Sequence, residues 1–281
     1  MRKIIIAVAP VALGPQEGVK SPLTPEEVAE EVIACARLGA SVVHLHVRDR
    51  EGRLTEDLTE FSHTLELITE GTDIIIQGST GGVSELTVEQ RCVALRDPRV
   101  ETASLNMGSA NFDEGVYVNT FPEIRYWAGR MREEGIHPEL EVFEAGMINN
   151  VALLAEEGVL SPPFVFAFCL GFRGALPADA RSLFFLQSML PPGARWGLIH
   201  HGMEDLSLLA VAAGMGASFI RVGLEDSPFL APGRMARSNA ELVAQAVALV
   251  RTMGLEVASV EEARAILGLP PGGRHNRKAQ R

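Results

Sequence analysis

His44 and His46 stand two positions apart in Ser41-Val-Val-His-Leu-His-Val-Arg-Asp-Arg50, and Arg48 continues the spacing. Successive side chains of a β-strand point to opposite faces, so His44, His46 and Arg48 share one face while Val43, Leu45 and Val47 share the other. Two imidazoles placed in this way at a strand end can be aimed at one metal ion. A buried strand with two hydrogen-bonded core histidines would show the same pattern. Near the other end of the chain Ile220, Val222 and Leu224 alternate with Arg221, Gly223 and Glu225, and Asp226 follows. Two His and one Glu make a catalytic zinc set that leaves one coordination position open. Glu225 paired with Arg48 or Arg221 is the simpler alternative. His200-His201 are rival ligands, or second-layer or surface histidines.

Other strand ends add polar groups. The turn Ser79-Thr-Gly-Gly82 offers backbone N–H groups for a carboxylate or phosphate, and the Ser79 hydroxyl for a hydrogen bond. Thr102, Ser104 and Asn106 share one face of a fourth strand, and Glu139 and Glu141 one face of a fifth. A buried Glu141 has to be paired or protonated, either as a structural partner of an Arg or as a proton-handling group.

The elements that would bring these residues together alternate regularly. Strands are expected at Lys3–Ala9, around His44, and at Asp73–Gln77, Glu101–Leu105, Glu139–Phe143, Phe164–Phe168, Arg195–Ile199 and Ala217–Gly223. Helices fall at Glu26–Leu38, Leu58–Glu70, Thr87–Leu95, Phe121–Glu134, Met147–Glu156, Ala178–Met189, Asp205–Ala213 and Ser238–Met253. Thr24 followed by Pro25 signals the start of the first of these helices. Eight βα units are the pattern of a (β/α)8 TIM barrel, whose chemistry lies at the C-terminal strand ends. A doubly wound sheet would place a Gly-rich fingerprint after strand one, and Ala9-Pro-Val-Ala-Leu-Gly14 is not one. In a closed barrel strands eight and two flank strand one, so roughly 10 Å separates them, within the reach of a Glu and two His. Ser259–Leu267 reads as an extra C-terminal helix that either closes the barrel bottom or meets a neighbouring subunit.

The chain has 281 residues, 47% of them hydrophobic and 22% charged, which suits one barrel domain over 1–281 with a basic, disordered tail at 274–281. A net charge of -11 argues against nucleic acid as a partner. No apolar run is long enough for a membrane span, and Met1-Arg-Lys-Ile-Ile-Ile reads as a cytoplasmic first strand, not a signal peptide. Cys35, Cys92 and Cys169 lie too far apart to signal a disulfide framework or a zinc site, and are expected reduced and buried.

Five segments, taken together and in order, resemble the β-keto acid cleavage enzyme family. They are His44-Leu-His46-Val-Arg48, Gln77-Gly-Ser-Thr-Gly-Gly82, Ser104-Leu-Asn-Met-Gly108, Pro138-Glu-Leu-Glu-Val-Phe-Glu-Ala-Gly-Met147 and Arg221-Val-Gly-Leu-Glu-Asp226. The likeness runs from Ile4 to about Leu267. It implies a zinc-dependent barrel enzyme that converts a β-keto acid and acetyl-CoA to acetoacetate and a new acyl-CoA. It makes His44, His46 and Glu225 the zinc ligands, Arg221 and Asp226 the pair that helps deprotonate the keto acid, and Ser79, Ser104 and Glu141 the rest of the pocket, with the Gly82 region gripping the carboxylate.

The family member of lysine fermentation has Thr where Ser104 stands, and a pocket Glu, suited to an amino group, where Leu13 aligns. A substrate without an amine is therefore expected, unless the nearby Glu17 substitutes for that carboxylate. His200-His-Gly-Met-Glu lacks the family's Gly- and Arg-containing pattern, so the CoA contacts do not carry over. The family also implies a homo-oligomer, a tetramer by expectation. The competing class is a metal-dependent hydrolase of the amidohydrolase type, which uses His-x-His on its first strand and further His ligands on strands five and six.

Overall fold

The computed structural model describes residues 1–14, 18–83, 85–112 and 114–273, so Glu17 and the tail at 274–281 lie outside the described residues. Eight parallel strands run in chain order: β1 (Lys3–Val8), β2 (Val42–Leu45), β3 (Ile75–Gly78), β4 (Val100–Asn106), β5 (His137–Val142), β6 (Val165–Phe168), β7 (Arg195–Ile199) and β8 (Phe219–Val222). Each pairs with the next, and β8 pairs back onto β1 from Ile5↔Phe219 to Val8↔Val222, closing the expected barrel. The helices between them are α1 (Pro25–Leu38), α2 (Thr59–Gly71), α3 (Val88–Arg91), α4 (Phe121–Glu134), α5 (Ala145–Glu156), α6 (Ala180–Ser188), α7 (Ser207–Met215) and α8 (Asn239–Thr252), and α9 (Val260–Leu267) follows.

Local chemistry starts and stops these elements where the spacing said it should. The Thr24 hydroxyl accepts the Glu27 N–H at 3.3 Å while the Glu27 carboxylate accepts the Thr24 N–H, and Pro25 supplies the first helical φ of α1. One helix departs from expectation. The stretch 87–95 breaks at Cys92 into α3 and a 3-10 turn, Val93–Arg96, that buries Val93, Ala94 and Leu95 in succession. Three consecutive buried residues do not fit one stripe of an α-helix, and the tighter turn carries them instead.

Register sets the contents of the barrel. His44 pairs with Gln77, Asn106 with Glu141, Glu141 with Ala167, and Arg221 with both Ile199 and Ala7, so these side chains share the interior face. Ala7 and Ala167 are small, which leaves the top of the interior open to polar groups. Lower down, Gly197 pairs with Phe219, and a Cβ there would lie 2.4 Å from the Phe219 ring.

The extra helix α9 closes the bottom of the barrel. Its Arg264 enters beneath β4 and donates to Glu101 from Nε at 3.0 Å and from Nη2 at 2.9 Å, with Nη2 also reaching the Asp73 carbonyl. All three cysteines are free and buried. Among the described residues no helix is long and apolar enough to cross a membrane.

Candidate active site

At the top of the barrel, His44 Nε2 and His46 Nε2 lie 3.3 Å apart, and each is 3.5–3.6 Å from Glu225 Oε1. Ligands about 2.0–2.2 Å from a tetrahedrally coordinated zinc lie roughly 3.3–3.6 Å from one another. The three donor atoms therefore stand at the corners of a triangle of the size that one such ion would need. His44 Nδ1 is 2.6 Å from Gln77 Oε1, which fixes the proton on Nδ1 and turns the Nε2 lone pair toward the triangle. Burial, aided by the neighbouring Arg221 charge, pushes the His44 imidazole down to about 3, so the ring is neutral, as a metal ligand must be.

His46 and Glu225 lie past the ends of their strands and are held there by tight backbone. In the turn after β8, Glu225 N–H donates to the Ala9 carbonyl, while Asp226 and Ser227 N–H both donate to Gly223 O. Gly223 has φ +147°, and a Cβ on it would sit 2.1 Å from the Ala9 carbonyl oxygen. Only glycine fits that approach, and it aims Glu225 and Asp226 inward.

Behind the triangle, Arg221 donates to Asp226 Oδ2 from Nε at 2.9 Å and to Oδ1 from Nη2 at 2.6 Å. Nη2 also lies 3.4 Å from Glu225 Oε1, whereas Nη1 is 3.9 Å from Glu141 and has no hydrogen-bond partner. Burial pushes the Glu141 carboxyl up to about 8 against the pull of Arg221, so Glu141 is largely protonated at neutral pH. Burial also raises Asp226, opposed by Arg221, while the neighbouring His46 and Arg221 hold Glu225 far below the usual carboxylate range in spite of its burial. Glu139, next to Glu141, is raised by burial as well.

The Ser79–Gly82 turn lines the same cavity, but three of the N–H groups expected to grip an anion are bonded within the chain. Ser79 N–H donates to Leu45 O, Gly81 N–H to Ser79 Oγ at 3.0 Å, and Gly82 N–H to Tyr117 Oη at 2.9 Å. The turn region also offers the Ser79 hydroxyl, whose oxygen lies 3.4 Å from that of Ser104. Gly82 itself has φ +121°, and a Cβ there would lie 2.5 Å from Leu54 Cδ1, so its part is to let two loops approach.

The cavity measures about 900 Å³ and includes Leu13, which is 57% exposed at its mouth. Among the residues singled out from the sequence, His44, His46, Glu225, Arg221, Ser79, Gly82, Glu141 and Leu13 all line it, and Asp226 and Ser104 stand directly behind. His200 and His201 are not brought to the triangle: His200 Nε2 bonds the Asp205 carbonyl at 2.8 Å, and His201 stacks on Phe172 with ring centroids 3.4 Å apart. Sequence reasoning assigned no part to Gln77 and did not find Tyr117. Tyr117 comes from a small hairpin after β4, Ala110–Phe112 with Gly115–Tyr117, where its hydroxyl takes N–H bonds from Gly82 and Asn106. Arg91 Nη2 donates to Asn119 Oδ1, tying the end of that hairpin to α3.

A closed barrel with a two-histidine, one-glutamate triangle at its C-terminal mouth defines a metal-site enzyme scaffold. The family model for the beta-keto acid cleavage enzyme matches residues 3–269, and the chain belongs to that family. It is 36% identical over 273 residues to the 3-keto-5-aminohexanoate cleavage enzyme of Fusobacterium nucleatum, covering 96% of this chain and 99% of that protein. It is 34% identical over 253 residues to the 3-oxoadipate:acetyl-CoA acetyltransferase of Cupriavidus necator, covering 89% of this chain and 88% of that one. The fold matches the ternary complex of ObcA with a C4-CoA adduct and oxalate at a TM-score of 0.75 and 23% identity, over 89% of this chain and 67% of the other. The hydrolase alternative is not favoured: the His-x-His lies on the second strand, the one histidine of β5, His137, opens that strand at the end away from the mouth, and Glu141 and Ala167 stand nearer the mouth on β5 and β6.

Proposed function

We propose that this enzyme takes a β-keto acid and acetyl-CoA and releases acetoacetate and a new acyl-CoA. The observation that carries the reading is the donor triangle of His44, His46 and Glu225, set beside the Arg221–Asp226 pair in a barrel of this family. In bond terms C2–C3 of the keto acid breaks, C2 gains the acetyl group, and the CoA sulfur passes from the acetyl to the remaining acyl group. One proton leaves C2 and one returns.

His44, His46 and Glu225 would hold zinc, the metal that such a neutral-histidine and carboxylate set suits. When bound, that ion supplies Lewis acidity at the keto oxygen. The remaining work falls to the chain. Asp226, oriented by two Arg221 nitrogens, takes the C2 proton at its carboxylate, and Arg221 Nη1 faces the oxygen on which charge develops. Glu141, kept protonated by burial, donates to the acyl oxygen. The Ser79 hydroxyl, with Ser104 behind it, binds the carboxylate, and Gly82 keeps the loop close enough for it to do so.

Leu13 at the tail end of the cavity favours a substrate without an amino group there. Cytoplasmic location and a homo-oligomer, a tetramer by family expectation, belong to the same reading. Incubating purified protein with a panel of β-keto acids and acetyl-CoA tests it: acetoacetate should form only when both are present. Acetoacetate formation independent of acetyl-CoA, or none from any acid, would refute it.

A further inference from the structure

Arg48 is the member of the His44-Leu-His46-Val-Arg48 segment that the proposed chemistry leaves without a task. It lines the same cavity as the metal triangle, and its Nη1 donates to Gly52 O at 2.7 Å, which fixes where the guanidinium points. Its Nε is buried with no hydrogen-bond partner. Among the described residues no carboxylate comes within ion-pair distance of it. Asp49, next in the chain, is taken by Arg53, and Glu225 is engaged by the two histidines and Arg221. Glu225 and Asp49 attract this half-buried guanidinium only from beyond contact distance, and an anion from outside the chain would give it the direct partner it lacks.

The backbone N–H groups of Ser79, Gly81 and Gly82, the other candidate anion grip in this cavity, are bonded internally. The phosphates of a CoA thioester lie at the far end of the pantetheine arm from the reacting acyl group. An arginine two residues from a metal-triangle histidine therefore meets the acid first. We infer that Arg48 docks a carboxylate of the β-keto acid, forming with it the charge-assisted pair that the chain itself does not provide. Two carboxylates share this chemistry: the acid's own, and one at the far end of a dicarboxylic substrate.

The inference rests on the proposed function, and its test separates the two. Calorimetric titration of the metal-loaded protein with acetoacetate and with 3-oxoadipate, without acetyl-CoA, compares wild type with Arg48→Met, and steady-state kinetics gives KM for each co-substrate. Affinity for both acids should fall about tenfold or more if the acid's own carboxylate is held, and only for 3-oxoadipate if the distal one is. KM for acetyl-CoA should stay within twofold. Arg48→Lys, which keeps the charge and loses the fork, should recover part of the affinity and serves if Arg48→Met does not fold. Unchanged affinity for both acids, or a loss confined to acetyl-CoA, overturns the role of Arg48. A wild-type protein that binds neither acid overturns the proposed function itself.

Discussion

Arg221 holds Asp226 by two parallel hydrogen bonds, 2.9 Å from Nε and 2.6 Å from Nη2, and leaves Nη1 buried without a hydrogen-bond partner, 3.9 Å from Glu141. The pairing gives the carboxylate one orientation, and neither side chain belongs to the donor triangle. Asp226→Asn should therefore lower kcat by about a hundredfold or more while the metal content per chain stays unchanged. Activity assays and elemental analysis of the same preparation check this. Loss of metal, with full activity after reconstitution, would show that Asp226 only supports the site.

The triangle itself predicts about one divalent ion per chain. Replacing His46 by Ala should remove metal and activity together while leaving the thermal unfolding of the metal-free barrel close to that of the metal-free wild type. Full metal content in a His44→Ala, His46→Ala double variant would contradict the site.

Much of this site could be read from the sequence, although not always for the reason given. Alternation correctly put His44 and Arg221 on the interior face. It also pointed to His46 and Glu225, which lie beyond Leu45 and Val222, where the strands have ended. The inward aim of Glu225 comes from the Gly223 turn against Ala9, a tertiary contact that no local period encodes. Tyr117 was invisible for the same reason: a three-residue hairpin strand carries too little pattern to show which cavity it will cover. The anion grip expected of the Ser79–Gly82 backbone also depended on what the hairpin would take up.

At Leu13 the expected specificity is moderate. The side chain is 57% exposed, so an ammonium placed there would keep part of its water, and the penalty is smaller than for full burial. A neutral alkyl β-keto acid should be preferred over its 5-amino analogue by about tenfold in kcat/KM, and Leu13→Glu should narrow or reverse this. Equal or better turnover of 3-keto-5-aminohexanoate by the wild type would show that another carboxylate meets the amine, with Glu17 the first to replace.

The pair closing the bottom of the barrel is far from the chemistry. Breaking it by Glu101→Gln removes the buried carboxylate of Arg264 and leaves it only the exposed Asp73 and Glu261 carboxylates, each 3.7 Å from Nη1, which should cost about 1.5–3 kcal/mol of stability in urea unfolding. The kcat of the folded fraction should not change. A stability loss below 1 kcal/mol would mean that solvent reaches Arg264.

Asp97 predicts an acid-side loss of stability. Burial alone would raise its carboxyl, but hydrogen bonds from Arg99 and Ser62 outweigh burial and hold it below the ordinary value. A depressed carboxyl contributes stability in full above its unfolded value, near 3.9, and loses it as pH falls through the folded one. The stability gap between wild type and Asp97→Asn should thus be constant from neutral pH to about pH 5, roughly 1–3 kcal/mol, and shrink below about pH 4. A gap that widens in acid would reverse the sign.

The exchange of acyl groups can be followed atom by atom. With acetyl-CoA labelled by ¹³C at the acetyl carbonyl and an unlabelled β-keto acid substrate, the label should appear at C3 of acetoacetate and be absent from the new acyl-CoA. Unlabelled acetoacetate, or label retained in a thioester while the keto acid is consumed, would contradict the proposed cleavage.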